Sequence, residues 1–134
     1  MKKTRVGVFA VTALVLVGCS SEPEKAEPID FTGMLALNQV MIRPDIDERG
    51  GCVGKDGFSD IREGVSVLIS DKSGEPLVKT KLNQGRPKDN FTCTFRFTAE
   101  VPGGEDFYTV QVAARNKMTY TGEEMKAGIQ MSLS

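Results

Sequence analysis

The sequence has no histidine. A serine or cysteine nucleophile would therefore lack its commonest general base. Lysine can stand in for that base, but no Ser-x-x-Lys spacing occurs. Cysteine is scarce: Cys19, Cys52 and Cys93 are the only three. No two are close in sequence, so a zinc site would have to be completed by carboxylates, an unusual ligand set. Long apolar runs are missing too. The run Val6–Val17 covers twelve residues, against the about 20 that an ordinary membrane-spanning helix needs. Positive charge is not in excess, with 17 basic and 18 acidic residues. Residues 1–19 hold Lys2, Lys3 and Arg5 and no acid, so the rest carries 14 basic against 18 acidic residues, a net charge of −4. Such a surface is poorly suited to polyanions, and nucleic acid is not an expected partner.

What is present begins with an address. Met1-Lys2-Lys3-Thr4-Arg5 is cationic, Val6–Val17 is apolar, and Gly18-Cys19 is a small-residue junction. This is the layout of a secretory signal. The box Leu16-Val17-Gly18-Cys19 resembles the bacterial lipoprotein signal. The resemblance implies a diacylglyceryl thioether on Cys19, cleavage on its N-terminal side, and a membrane-anchored protein on the extracytoplasmic side of the cell membrane. The alternative is an ordinary secretory signal with an incidental cysteine. Residues 1–18 are thus read as a signal peptide and 19–29 as the lipidated cysteine and a tether. Residues 30–134 are read as one domain. Ser20–Pro28 has no apolar side chain larger than Ala26, so it cannot bury enough surface to offset its ordering. Extended, it would reach roughly 30 Å.

With Cys19 assigned to lipid, Cys52 and Cys93 remain as an even pair in an exported chain, where a disulfide is the default. A metal site or a reactive thiol are the alternatives.

The body of the chain reads as strands. Phe91–Ala99 alternates, with Phe91, Cys93, Phe95 and Phe97 on one face and Thr92, Thr94, Arg96 and Thr98 on the other. Val65–Ser70 is a second strand, ended by the turn residues Asp71-Lys72-Ser73-Gly74 and followed by Pro76–Asn83, so the two form a hairpin. Phe107–Arg115 puts Tyr108, Val110, Val112 and Ala114 on one face. Phe31–Ile42 holds one or two strands, and Ile129, Met131 and Leu133 mark a closing strand. Phe31 and Phe107 have no clear place on these core faces and are expected to be exposed. Thr121-Gly122-Glu123-Glu124 fits a capping box for a short helix stopped by Gly128. Short strands, frequent turns and an inter-strand disulfide predict an antiparallel β-sandwich with one short helix near the C-terminus. Gly51–Gly64 is the irregular part, with Phe58 and Ile61 expected to plug an open end.

Cys52-Val53-Gly54, Gly57-Phe58-Ser59-Asp60-Ile61 and Gly64-Val65-Ser66-Val67, with Cys93-Thr94-Phe95-Arg96-Phe97 and Phe107-Tyr108-Thr109-Val110, resemble a group of small exported or lipid-anchored actinobacterial proteins. The resemblance spans Phe31 to Leu133 and implies export and a small β-sandwich, not a reaction. A looser likeness is to transthyretin-like and carboxypeptidase regulatory-like sandwiches. The enzymatic branch of the former uses histidines and a Tyr-Arg-Gly-Ser terminus. This sequence has no histidine and its last residues are Met131-Ser132-Leu133-Ser134, so that activity is not expected.

Candidate sites are few. Asp56, Asp60 and Glu63 offer oxygens to calcium, but without the density of the known calcium loop. The competing readings are that Asp60 caps a turn by accepting backbone amides ahead of Ile61, or that it contacts a partner. Lys79, Lys81, Arg86 and Lys88 form a basic run. It reads either as a contact for anionic head groups or cell-wall polymer, or as a solvated edge strand that resists pairing. Asn83–Asn90 reads as a loop tip, with Asn83, Arg86, Lys88 and Asn90 as candidate binding residues. No acid–base set converges, no cofactor is implied, and no enzyme is expected. The leading expectation is a lipid-anchored cell-envelope binding or interaction module, joined to the membrane by its anchor and to an envelope protein or cell-wall component by its loops. The alternatives are an inhibitor or immunity-type lipoprotein acting on an exported enzyme, and a calcium-binding envelope domain.

If Cys19 carries lipid, the protein labels with a fatty-acid probe and partitions into detergent, and Cys19→Ala abolishes both. Unchanged partition of that variant would contradict the anchor.

Overall fold

The computed structural model describes residues 26–133. The Cys19 box, the signal peptide and most of the expected tether lie outside the described residues. Strand β1, Ile29–Asn38, opens the fold. Its odd-numbered residues Ile29, Phe31, Leu35 and Leu37 are buried, as alternation along a strand requires. The packed domain therefore begins at Ile29. Phe31 is in the core, not exposed as expected, with its ring edge-on to Phe97 at 5.9 Å.

A 3-10 turn at Gln39–Met41 leads to β2, Ile42–Pro44, which pairs antiparallel with β3, Cys52–Gly54. A second 3-10 turn covers Asp56–Phe58. Strands β4, Ser66–Asp71, and β5, Pro76–Lys81, form the expected hairpin. Strands β6, Arg86–Asp89, and β7, Thr92–Val101, form another. Strand β8, Phe107–Val112, pairs with β9, Met118–Thr121; helix α1, Gly122–Ala127, and β10, Ile129–Ser132, follow. The capping box is formed: the Glu124 N–H donates to the Thr121 hydroxyl, and the Thr121 N–H donates to the Glu124 carboxylate.

These strands make an all-β sandwich of two four-stranded sheets, β10-β1-β7-β6 and β5-β4-β8-β9, with β2–β3 as a separate two-stranded ribbon. Every pairing is antiparallel except β10 on β1. That exception follows from α1, which carries the chain from β9 at the edge of one sheet to β10 at the edge of the other. Met125 of α1 is buried and closes that side. On the other side the chain between β5 and β6 crosses the sheets. Thr80, near the end of β5, donates its hydroxyl to Thr98 O at 2.8 Å, and in the crossing the Asn83 N–H donates to Arg96 O at 2.8 Å.

Strand β7 lies at the centre of the packing. Cys93, Phe95 and Phe97 are fully buried. Two glycines admit these side chains. A Cβ on Gly33, which faces Phe97 across the β1–β7 pair, would stand 2.1 Å from its ring. A Cβ on Gly85 would stand 2.6 Å from the Phe95 ring and 2.1 Å from the Cys52 carbonyl. Tyr108 is also fully buried, and its hydroxyl donates to Pro102 O at 2.7 Å. That bond spares the core an unpaired polar group.

Three expected inward residues lie elsewhere or less deep. Phe91 precedes β7, in a turn where its N–H donates to the Asp89 carboxylate, and its side chain is exposed. Ala114 follows Ala113, whose φ of +50° ends β8, and is exposed. Leu133 packs against the core but is only partly buried. Phe107 is exposed, as expected. In the β4–β5 turn the Asp71 carboxylate accepts the Ser73 hydroxyl, the Ser73 N–H and the Glu75 N–H. The Ser73 hydroxyl bond above all holds the carboxyl pKa below its usual value. This stabilisation is present at neutral pH and is lost as pH falls through the lowered value.

Phe95 and Phe91 give a paired test. Phe95→Ala should cost about 3–5 kcal/mol. Phe91→Ala, at an exposed turn, should stay within about 0.5 kcal/mol. Equal losses in urea titrations of the two variants would contradict this core.

Candidate functional site

The irregular segment Gly51–Gly64 forms a lobe with β2, and four ties hold it to the sandwich. The Cys52–Cys93 disulfide joins β3 to β7 across a Cα separation of 6.0 Å. The Cys52 N–H donates to Gly85 O at 3.1 Å. Ile61 is fully buried and Phe58 packs on the core, so both act as the expected plug. The fourth tie is Arg115, just beyond β8. Its guanidinium donates to both oxygens of Asp60 and to Gly57 O, and it lies over the Phe58 ring at 4.9 Å. The hydrogen bond to Asp60 raises the Arg115 pKa further, so the guanidinium stays charged over any practical pH.

This pairing bears on two expectations. Asp60 does not accept backbone amides ahead of Ile61; its carboxylate is taken by Arg115, which supplies a stronger charge-assisted bond. As for calcium, Asp56 is exposed at the start of a 3-10 turn, and among the described residues no three cysteine or acidic side chains are placed to share an ion. Arg115 had no sequence signal: it lies 55 residues from its partner.

A cleft of about 440 Å³ opens between this lobe and β6. Its apolar lining is Ile42, Pro44, Cys52 and Pro87; Asp45 and Asn90 stand on opposite sides of it. Three exposed apolar side chains lie one residue from its lining: Val40 beside Gln39, Ile46 beside Asp45, and Phe91 beside Asn90. They are 73%, 83% and 59% exposed, three of the four large apolar side chains exposed among the described residues; the fourth is Phe107 on β8. The pairing of Asn38 with Thr92 places Val40 and Phe91 just beyond the same end of the β1–β7 pair.

The expected binding loop is different in form. Residues 83–90 do not project. The Asn83 N–H is bound to Arg96 O, and Arg86–Asp89 is the edge strand β6, paired with β7. The Gly and Pro residues that suggest a loop are compatible with this: Gly85 makes a close approach, and Pro87 is tolerated on an edge. Asn90 does reach the cleft; Arg86 and Lys88 are exposed on the edge strand; Asn83 is part of the crossing. Lys79 and Lys81 are exposed on β5, the edge of the other sheet, so the basic run is divided between two sheets.

A second cleft, about 830 Å³, lies at the opposite end of β1, where residues 26–28 enter. Glu27, Asp30, Glu105, Asp106 and Glu123 line it with Lys126. Asp106 and Glu123 are paired on the surface with Lys72 and Lys126, at 3.4 and 3.5 Å. The Gly103–Gly104 turn seats the entering chain: a Cβ on Gly103 would stand 2.0 Å from Glu27 O.

Comparison with protein families, with curated proteins and with solved structures finds no match to this chain.

Arg115→Ala should cost about 1 kcal/mol, as expected for a partly exposed ion pair with a ring contact. Its clearer effect should be local, with faster amide exchange in residues 54–64 and none in β7. Calcium at millimolar levels should leave the melting temperature of the wild type and of Asp60→Ala unchanged. A calcium-dependent rise lost in Asp60→Ala would contradict the Arg115 assignment.

Proposed function

We propose that this protein is a lipid-anchored interaction module of the cell envelope, binding through the cleft beyond Asn38. The observation that carries the reading is the separation of the two ends. Residues 26–28 enter at the Ile29 end of β1, and the apolar rim of Val40, Ile46 and Phe91 lies past its Asn38 end. A ten-residue strand puts them about 33 Å apart. A chain tethered through Cys19 would then have its apolar cleft turned away from the anchor. The lipoprotein-like box supports the anchor, and the four ties to the lobe support a pre-shaped surface. Binding then costs little ordering. The chemistry fits a proteinaceous partner. The cleft is apolar at its base and carries Arg43, Asp45 and Asp89 at its margin, the apolar centre and mixed polar rim of a protein interface.

The test is capture from cells with the native lipidated protein. Ile46→Asp and Phe91→Asp should each lose the bound partner while lipidation and melting temperature are retained. An identical set of captured proteins in wild type and both variants would contradict the assignment of the surface.

A further inference from the structure

We infer that the side of the sandwich formed by β5 and β6 docks on an anionic lipid bilayer, so that the anchored domain lies along the membrane on that side. The inference rests on the lipid anchor of the proposed function and not on what the cleft binds. Residues 79–96 hold five cations, Lys79, Lys81, Arg86, Lys88 and Arg96, and one acid, Asp89, in a chain that is acidic overall. Strands β5 and β6 are edges of different sheets, but only residues 82–85 separate them, and the Asn83 N–H is bonded to Arg96 O. The fold therefore sets the two edges side by side. Thr80 reaches across to Thr98 O, so Lys79 and Lys81 turn out of their sheet; Phe95 and Phe97 are buried, so Arg96 turns out of the other. Cations thus stand on both flanks of the crossing. All five are exposed, and among the described residues none is in an ion pair. The Asp89 carboxylate accepts the Phe91 N–H. The other acids nearby are Glu63, beside the Gly64 N–H that bonds Leu82 O, and Glu100, at the far end of β7 across from Asp30. Protection of strand edges does not account for the cations. Lysine or proline on an edge blocks unwanted pairing, but β5 and β6 already have Pro76, Pro87 and a break in register each. Arg96 is on an interior strand, and the other two edges, β9 and β10, carry no charged residue. The five cations line neither cleft described above, so a small anion has no enclosed seat among them. A broad anionic surface meets both flanks at once, and each Lys or Arg adds to its hold. The tether Ser20–Pro28, roughly 30 Å when extended, brings that surface within reach. The entry end, with Glu27, Asp30, Glu105, Asp106 and Glu123, is repelled by it. The domain then reclines on β5 and β6, and the cleft stays at the end far from the tether, opening along the bilayer.

The test uses the full lipidated protein in phosphatidylcholine vesicles with or without phosphatidylglycerol. A fluorophore is placed at Asn83→Cys, on the crossing, or at Thr119→Cys, on the opposite edge strand β9; both positions are exposed. A nitroxide on the lipid head groups quenches whichever probe lies near the bilayer. With phosphatidylglycerol present, the Asn83 probe should be quenched severalfold more than the Thr119 probe. Without it, or in about 1 M salt, where charges are screened within about 3 Å, the two should agree. Lys79→Gln and Lys88→Gln should each weaken the docked state about fivefold, as expected for one cation at an anionic surface, and leave the melting temperature unchanged. Equal quenching of the two probes in protein that stays on anionic vesicles would overturn this proposal alone. So would a difference that persists on phosphatidylcholine, or one that appears only after an anionic wall polymer is added. Release of the protein from every vesicle would overturn the anchor and this proposal with it.

Discussion

The Cys52–Cys93 disulfide is the constraint on which the lobe and its cleft depend. It ties β3, a three-residue strand in a separate ribbon, to β7, the strand at the centre of the core. A ribbon of two such short strands is not stable alone in water. The bridge spans 41 residues of sequence and removes about 4 kcal/mol of chain entropy from the unfolded state. For a single small domain that is a large share of the total. The close approach of Gly85 to the Cys52 carbonyl and the Phe95 ring follows from the same attachment. Ile61 and Arg115 then complete the lobe from its far side.

The architecture that results separates two tasks along β1. One end receives the incoming chain at the Gly103–Gly104 turn, within an acidic surround. The other end carries the cleft and its apolar rim. A stiff core and a fixed lobe keep this surface in shape, and the buried Cys93, Phe95 and Phe97 of β7 serve both.

Much of the fold was legible because its physical cause is local. The two-residue period of Cys93, Phe95 and Phe97, the hairpin through Asp71–Gly74 and the capping box at Thr121 all act within a few residues. The parity of the remaining cysteines was enough for the disulfide. Errors arose where the period is broken or a turn intervenes. Phe91 has the right parity but sits in the β6–β7 turn. Phe31 was misjudged because Gly33, which makes room for the Phe97 ring, interrupts an otherwise regular run of inward residues. Ala114 lies past the positive φ of Ala113. The candidate site was less legible. Asn90 lines the cleft, but Asn83–Asn90 reads as a loop only by composition, since an edge strand tolerates Pro87. Val40, Ile46 and Arg115 act through tertiary placement, which no local pattern encodes.

The most direct test of the account compares native-state amide exchange before and after selective reduction of the disulfide. If the bridge holds the lobe, reduction should strip protection from β2, β3 and residues 55–64 first, while the amides of β1 and β7 that face each other keep most of theirs. Unchanged protection in the lobe, or simultaneous loss across the whole domain, would contradict the claim that the Cys52–Cys93 bridge fastens the cleft to an independently formed core.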